Sequence, residues 1–373
     1  MNTLFPTETT PTFPTSYGEI LQRLRRVDPV TYGRTRNFGN GTVTYLSPYI
    51  SRGVISTRQV LEDVLEKGHS PERIEKFIQE LAWRDYWQQV WIAKGQRIDS
   101  DLKNTQTPVT NHGISRAIIE GSTTIEAVDQ HIDKLYETGY MHNHMRMYVA
   151  ALACNMGRSH WLTPARWMYY HLLDGDWASN ALSWQWVAGA NSHKKYVANQ
   201  DNINKYFASD QRDTFLDVGY EVLLKMPIPN ELREITEPAL ETELPESDDF
   251  QLDPSRPTCI YNYYNMDPLW HKDGDVNRVL LLEPSHFRRY PISNNAMTFL
   301  LDLGENIPGL HVLVAEFSEL IDRFQPKSVL YKEHPLNSHY RGQEEARDWM
   351  FDVTGYYSSF FQFWKRAKKQ LPI

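Results

Sequence analysis

Up to residue 225 the apolar residues recur at helical spacing, and beyond residue 250 they gather into short runs. That change of period limits the architecture more than any other feature of the 373-residue chain. RQVLEDVLEKG, ERIEKFIQELAWRDYWQQVWIAKG, TTIEAVDQHIDKLYETG and HNHMRMYVAALACNMG place apolar residues three and four apart, with Gly at their ends, and predict helices. CIYNYYN, RVLLLEP, HVLVAE and SVLYKE predict strands, with the helical stretches NNAMTFLLDLGENI and EFSELIDRF among them. Alternation of this kind predicts a parallel, doubly wound α/β sheet of Rossmann-like or flavodoxin-like type. The expected organisation is a mainly helical part over 1–225, a linker over 226–250 and an α/β part over 251–373.

The linker is a matter of charge. Residues 226–250 hold 1 Lys+Arg against 8 Asp+Glu, while residues 1–225 hold 24 against 24 and residues 251–373 hold 14 against 15. Nearly all of the net charge of -8 therefore lies in one Pro-rich stretch, expected to be solvated, and a local basic groove remains open to the flanking parts. Two cysteines, Cys154 and Cys259, exclude a disulfide framework and a four-thiolate iron–sulfur cluster. No apolar run approaches the roughly 20 residues of a spanning helix, and the opening MNTLFPTETTPTFPTS has neither the basic nor the apolar region of a secretory signal. The expectation is a cytoplasmic protein with no membrane partner. No Walker loop and no GxGxxG is present.

Four segments concentrate chemistry. In ELAWRDYW, Glu80, Trp83, Arg84 and Trp87 share one helix face, which is either a packed face with an i,i+4 ion pair or the wall of a pocket. In GYMHNHMRMYVAALACN, His142 and Arg146 share a stripe, as do Asn143 and Met147. Histidines two residues apart do not face each other on a helix, so no metal site is expected. In LLDGDWASNALSWQW, Asp174 and Asp176 flank a Gly, with Asn180 and Trp184 one turn apart beyond them. In RNFGNGTVTYLSPYISRGVIS, Thr44 and Ser47 follow a Gly-rich turn at a helix start.

In this order and spacing, GTVTYLSPYISRGVIS, ELAWRDYW, GYMHNHMRM and LDGDWASNALSWQW resemble the FAD-binding domain of the photolyase and cryptochrome family over roughly residues 20–210. The resemblance implies a helical FAD-binding domain. It assigns Tyr32, Val43, Thr44, Tyr45, Leu46 and Ser47 to the cofactor, Tyr45 standing where many members carry a basic or small residue. It further assigns to the cofactor Phe77, Arg84, Asn143, Arg146, Asp174, Gly175, Asp176 and Asn180. Arg146 would pair with Asp174, and Asn180 would face flavin N5, where photolyases usually have Asn.

The same resemblance implies a lesion cleft for DNA containing pyrimidine dimers, built from Arg36, Glu80, Trp83, Arg84, Asn143, Met147 and Trp186. Members acting on the (6-4) lesion are similar but place histidines where Asn143 and Met147 stand. Glu80 and Asn180 would act in catalysis, and Trp161 and Trp184 match the inner relay of a tryptophan chain whose outer member has no counterpart here. RVLLLEPSHFRRYPISNNAMTFLLDL resembles the family's α/β domain, which normally comes first, so the order looks permuted and no antenna chromophore is carried over. The activity implied is that of a deoxyribodipyrimidine photo-lyase, a carbon–carbon lyase driven by light. The rivals are a cryptochrome-like blue-light photoreceptor and a flavin-binding remnant.

Overall fold

The computed structural model describes residues 11–372, so the first ten residues of the opening stretch read for a secretory signal lie outside the described residues. The helical part is built around Glu75–Lys94, whose middle is widely buried: Phe77, Ile78, Ala82, Tyr86, Trp87, Val90 and Trp91 are covered, and so are the polar Asp85, Gln88 and Gln89. A helix with so little solvent face must be covered on several sides. Helix Trp177–Ala188 packs along one side, the C-terminal helix Phe360–Ala367 along another, and helix Asn143–Ala151 packs in turn on Trp177–Ala188. Asp176 caps Trp177–Ala188 by accepting from the Ser179 amide at 2.7 Å, and Gly189 ends it in the left-handed region at φ 86°.

The α/β part is a five-stranded, wholly parallel sheet in the spatial order Leu310–Val314, Asn277–Leu282, Thr258–Tyr261, Val329–Lys332, Gln343–Glu345. Ile260 lies opposite Val279 on one side and Tyr331 on the other. Four of the strands are the expected apolar runs. The fifth, Gln343–Glu345, is charged and mostly exposed, with no apolar signal to announce it. Among the described residues no helix is long and apolar enough to cross a membrane.

The acidic stretch is not a solvated linker, and this corrects the expectation. Ile235–Thr236 pairs antiparallel with Ile114–Ser115 of the helical part, and Leu232 is fully buried. Further on, the Glu241 carbonyl accepts from Tyr170, Thr242 bonds the Ile292 backbone, and Asp248 and Ser247 take amides from the outer strand at Val312 and Val314. The backbone and the Thr242, Ser247 and Asp248 side chains of the stretch strap the two parts together.

The parts also meet directly. The Met266 amide donates to the Arg52 carbonyl at 2.8 Å, Arg58 to the Trp349 carbonyl at 2.8 Å, and the Met350 amide to the buried carboxylate of Asp85 at 3.0 Å. Gly53 allows this approach: its φ is +67°, and a Cβ there would stand 2.6 Å from the Tyr264 carbonyl oxygen. Gly53→Ala is expected to destabilise the fold by about 2–3 kcal/mol, adding overpacking to left-handed strain. Urea denaturation measures the loss.

Candidate functional site

The centre of the site is a buried ion pair. Helix Asn143–Ala151 starts after His142, whose ring nitrogen accepts from the His144 amide at 3.2 Å, and this start projects Arg146 inward. Arg146 Nη2 donates to both Asp174 oxygens at 3.0 Å, and its Nε to the Met141 carbonyl at 2.8 Å. Burial opposes ionisation of Asp174, but Arg146 and the Ser47 hydroxyl outweigh it and hold the carboxyl below its ordinary range.

Around that pair the residues named from the sequence converge in part. Ser51 Oγ donates to the Asp174 carbonyl at 2.9 Å and accepts from Arg84 Nη1 at 2.7 Å. Tyr32 packs edge-on against Phe77 with ring centroids 5.2 Å apart, and burial, then Glu80 nearby, raises its phenol. Tyr45 packs on Tyr140 at 5.2 Å and is held at φ 52°, a left-handed conformation that costs a non-glycine residue about 1 kcal/mol or more. Leu46 is buried, and its amide donates to Thr44 Oγ1 at 3.3 Å. Val43 lies in the irregular stretch before helix Ser47–Ser51. Gly175 is packed so closely that a Cβ would stand 3.0 Å from the Leu172 carbonyl.

Asp176 also accepts from the Gln88 carboxamide. Asn180 is buried, and its Nδ2 donates to the Ala165 carbonyl at 2.8 Å. Of the residues assigned to FAD, Arg84 and Asp176 line a cavity of about 130 Å³ at the seam with the α/β part.

The residues assigned to the lesion are less assembled. Glu80 is tied to Arg36 at 3.2 Å and Lys76 at 3.0 Å. Asn143 is exposed, Met147 half-buried, and the Trp186 indole 39% exposed beside Tyr196. Trp83 differs from the expected open clamp, because the ring of Phe360 stacks on it at 3.9 Å and 10°. Trp161 and Trp184 are both buried, the former donating its indole N–H to Asp101 at 2.8 Å, and their segments meet where helices Leu162–His171 and Trp177–Ala188 pack. His142 and His144 are core residues, and among the described residues no cluster of three or more metal-ligating side chains occurs.

Sequence reasoning missed Ser51, Gln88 and Phe360. The amphipathic aromatic run FFQFWK was the available signal for Phe360.

Residues 77–217 match the family model described as the FAD binding domain of DNA photolyase. This part of the chain resembles the FAD-binding domain of the photolyase and cryptochrome family. It is 33% identical over 145 residues to a deoxyribodipyrimidine photo-lyase of Streptomyces griseus, covering 39% of this chain and 31% of that protein. It is 34% identical over 169 residues to a cryptochrome DASH of Danio rerio, covering 43% and 32%. A solved cryptochrome of Synechocystis sp. PCC6803 aligns at 25% identity with a TM-score of 0.48, covering 54% of this chain and 46% of that one. The chain thus spans about a third of the length of these curated relatives.

FAD is the family domain's cofactor, and the groups present suit it. An ionised Asp174 held by Arg146 offers acceptors to a flavin edge, Thr44, Ser47 and Tyr32 offer hydroxyls, and Arg84 offers positive charge for a diphosphate.

Arg146→Met leaves Asp174 buried without its cation and is expected to cost about 3–5 kcal/mol in urea denaturation. In the native protein the depressed Asp174 carboxyl stabilises the fold above about pH 4, its unfolded value, and that stability is lost as the pH falls towards the folded value. The variant is expected to lose that part of the acid-side slope.

Proposed function

We propose that the chain is a light-driven repair enzyme, a deoxyribodipyrimidine photo-lyase that opens cyclobutane pyrimidine dimers in DNA. Bound, reduced FAD supplies under blue or near-ultraviolet light the electron that splits the carbon–carbon bonds of the cyclobutane ring, and recovers it afterwards. The observation that carries this reading is the neutral carboxamide of Asn180, buried and anchored on the Ala165 carbonyl at 2.8 Å. A carboxylate at that place would repel an anionic reduced flavin, whereas an amide does not.

The protein's other contributions follow from its side chains. Glu80, restrained by Arg36 and Lys76, offers an acceptor to a pyrimidine N–H. The exposed Trp186 indole offers an apolar face to a flipped-out lesion, for which flipping costs least because the bases are already damaged. Buried Trp161 and Trp184 provide oxidisable rings in a dry interior for recharging the flavin.

A second reading, a blue-light photoreceptor, has one specific support: Phe360 already covers Trp83 as a stacked base would. The test is dimer loss from an oligonucleotide carrying one cyclobutane dimer, with chemically reduced protein in light and in darkness. Repair in light only is expected, falling about tenfold in Trp186→Ala. Protein that holds FAD yet repairs nothing overturns the proposal in favour of the photoreceptor.

Trp184→Phe is expected to slow photoreduction, followed by flavin absorbance, while sparing repair by the chemically reduced protein. Loss of both activities would rule out a simple relay role for Trp184.

A further inference from the structure

Two carboxylates of one short segment take the N–H groups of two buried indoles. The long helix ends at Gly95, and the turn Gly95–Asp99 that follows, with the two residues beyond it, carries Asp99 and Asp101. Asp99 Oδ1 accepts from Trp177 Nε1 at 2.7 Å, and Asp101 Oδ1 accepts from Trp161 Nε1 at 2.8 Å.

The two carboxylates differ in what else they meet. The second oxygen of Asp99 accepts from Arg289 Nη2 at 2.8 Å and from the Tyr290 hydroxyl at 3.3 Å, so a guanidinium already balances its charge. Asp101 meets neutral donors. Its Oδ2 accepts from the Gln106 amide at 2.8 Å, and His160 Nε2 stands 3.3 Å from its Oδ1. His160 Nδ1 accepts from the Leu162 amide at 3.4 Å and burial opposes protonation of the ring, so the imidazole is neutral with its proton on Nε2. Among the described residues no Lys or Arg is ion-paired to Asp101.

The ring contacts of Trp161 offer no onward path for a positive charge. Among the described residues the ring beside it is that of His160 at 5.7 Å, with His112 stacked on His160 at 5.1 Å. Imidazole is harder to oxidise than indole, and no Trp occurs in the sequence between Trp91 and Trp161. An indole that has lost an electron is an acidic cation, and its ring N–H is the proton it gives up. Trp161 is fully buried, so water does not reach that proton, and an uncompensated positive charge in an interior is costly. A base must stand within about 2.6–3.2 Å of a proton to take it. The Asp101 carboxylate does, with 19% of its side chain open to solvent. Transfer turns a buried cation and an anion into two neutral groups.

We propose that Asp101 is the proton acceptor that completes the oxidation of Trp161 during flavin photoreduction, in place of an outer tryptophan. This rests on the reading of Trp161 and Trp184 as the relay that recharges the flavin. Trp161 gives one electron, through Trp184, to the photoexcited oxidised flavin, and its Nε1 proton passes to Asp101 Oδ1, so that an N–H bond breaks and an O–H bond forms. The protein is left with a neutral indolyl radical and a neutral carboxylic acid, and the electron returns to Trp161 only together with the proton. A thiol donor resets the pair: it gives one electron to the radical while Asp101 returns its proton, two thiols ending as one disulfide and two protons. Asp99, held by Arg289, is the structural counterpart beneath Trp177.

The test is flash photolysis of FAD-loaded protein, with the tryptophan radical followed by visible absorption, which separates its cationic from its neutral form, and the carboxyl groups by infrared absorption. In the parent protein a carboxylic-acid band is expected to rise as the cation becomes the neutral radical. Asp101→Asn keeps an acceptor for the indole but takes no proton. At equal FAD content it is expected to lose the band and to lower the yield of neutral radical about tenfold or more. Asp101→Glu is expected to restore the radical, with the band at a shifted frequency. Should Asp101→Asn fail to fold, the band in the parent and its shift in Asp101→Glu decide. An equal yield of neutral radical in Asp101→Asn, or a neutral radical without the band in the parent, overturns Asp101 as the acceptor and leaves the relay standing. A parent protein that forms no tryptophan radical, with photoreduction unchanged in Trp161→Phe, overturns the relay and this proposal with it.

Discussion

One carboxamide joins the two halves of the chemistry. Gln88, buried in the middle of the long helix, donates to Asp176 and accepts from Arg347 at 2.7 Å. Asp176 caps the helix that carries Asn180 and Trp184, so that helix's start is fixed by a side chain that is itself fixed by the α/β part. An amide suits this position because it offers a donor to the carboxylate and an acceptor to the guanidinium at once. A Glu in its place would repel Asp176, and a Leu would strand two buried charges, the costliest outcome in an interior. The packing of the sheet against the helices is thus not a passive contact but a condition for the cap beneath the flavin-assigned residues.

The fold was readable to the extent that burial is one-sided and periodic. The helices around Thr57–Glu66, Glu75–Lys94, Glu126–Thr138 and Asn143–Ala151, and four of the five strands, carry their apolar pattern in the sequence. What escaped is what pairs through the backbone and short polar side chains. Gln343–Glu345 joins the sheet with polar side chains at an exposed edge, and the acidic stretch docks through a two-residue strand, a backbone carbonyl and side-chain acceptors, the Asp248 carboxylate among them. A composition count sees only the carboxylates.

The site shows the same division. Arg146 and Asp174 pair at 3.0 Å, as the family motifs imply, and the Ser47 hydroxyl bonds the same carboxylate, which they do not. Those contacts lie within segments whose spacing is local. Phe360 on Trp83 and Arg347 on Gln88 join residues more than 250 positions apart, and nothing in the helical segment alone points to them. Motifs carry the local geometry of a site; its long-range partners are set by packing.

That packing gives the C-terminal helix two attachments of different character. One is the flat stack of Phe360 on Trp83, and the other is Trp364, whose indole N–H donates to Glu75 at 3.2 Å while Lys368 approaches the same carboxylate at 2.8 Å. The polar attachment sits at the start of the long helix, is part-exposed and is screened by salt. The stack is apolar, and Phe360 is buried and packs against Tyr86 and Phe363 as well. Freeing that face of the indole would therefore mean moving a buried ring out of the core, so the stack closes Trp83 while Glu75 tethers the rest of the helix.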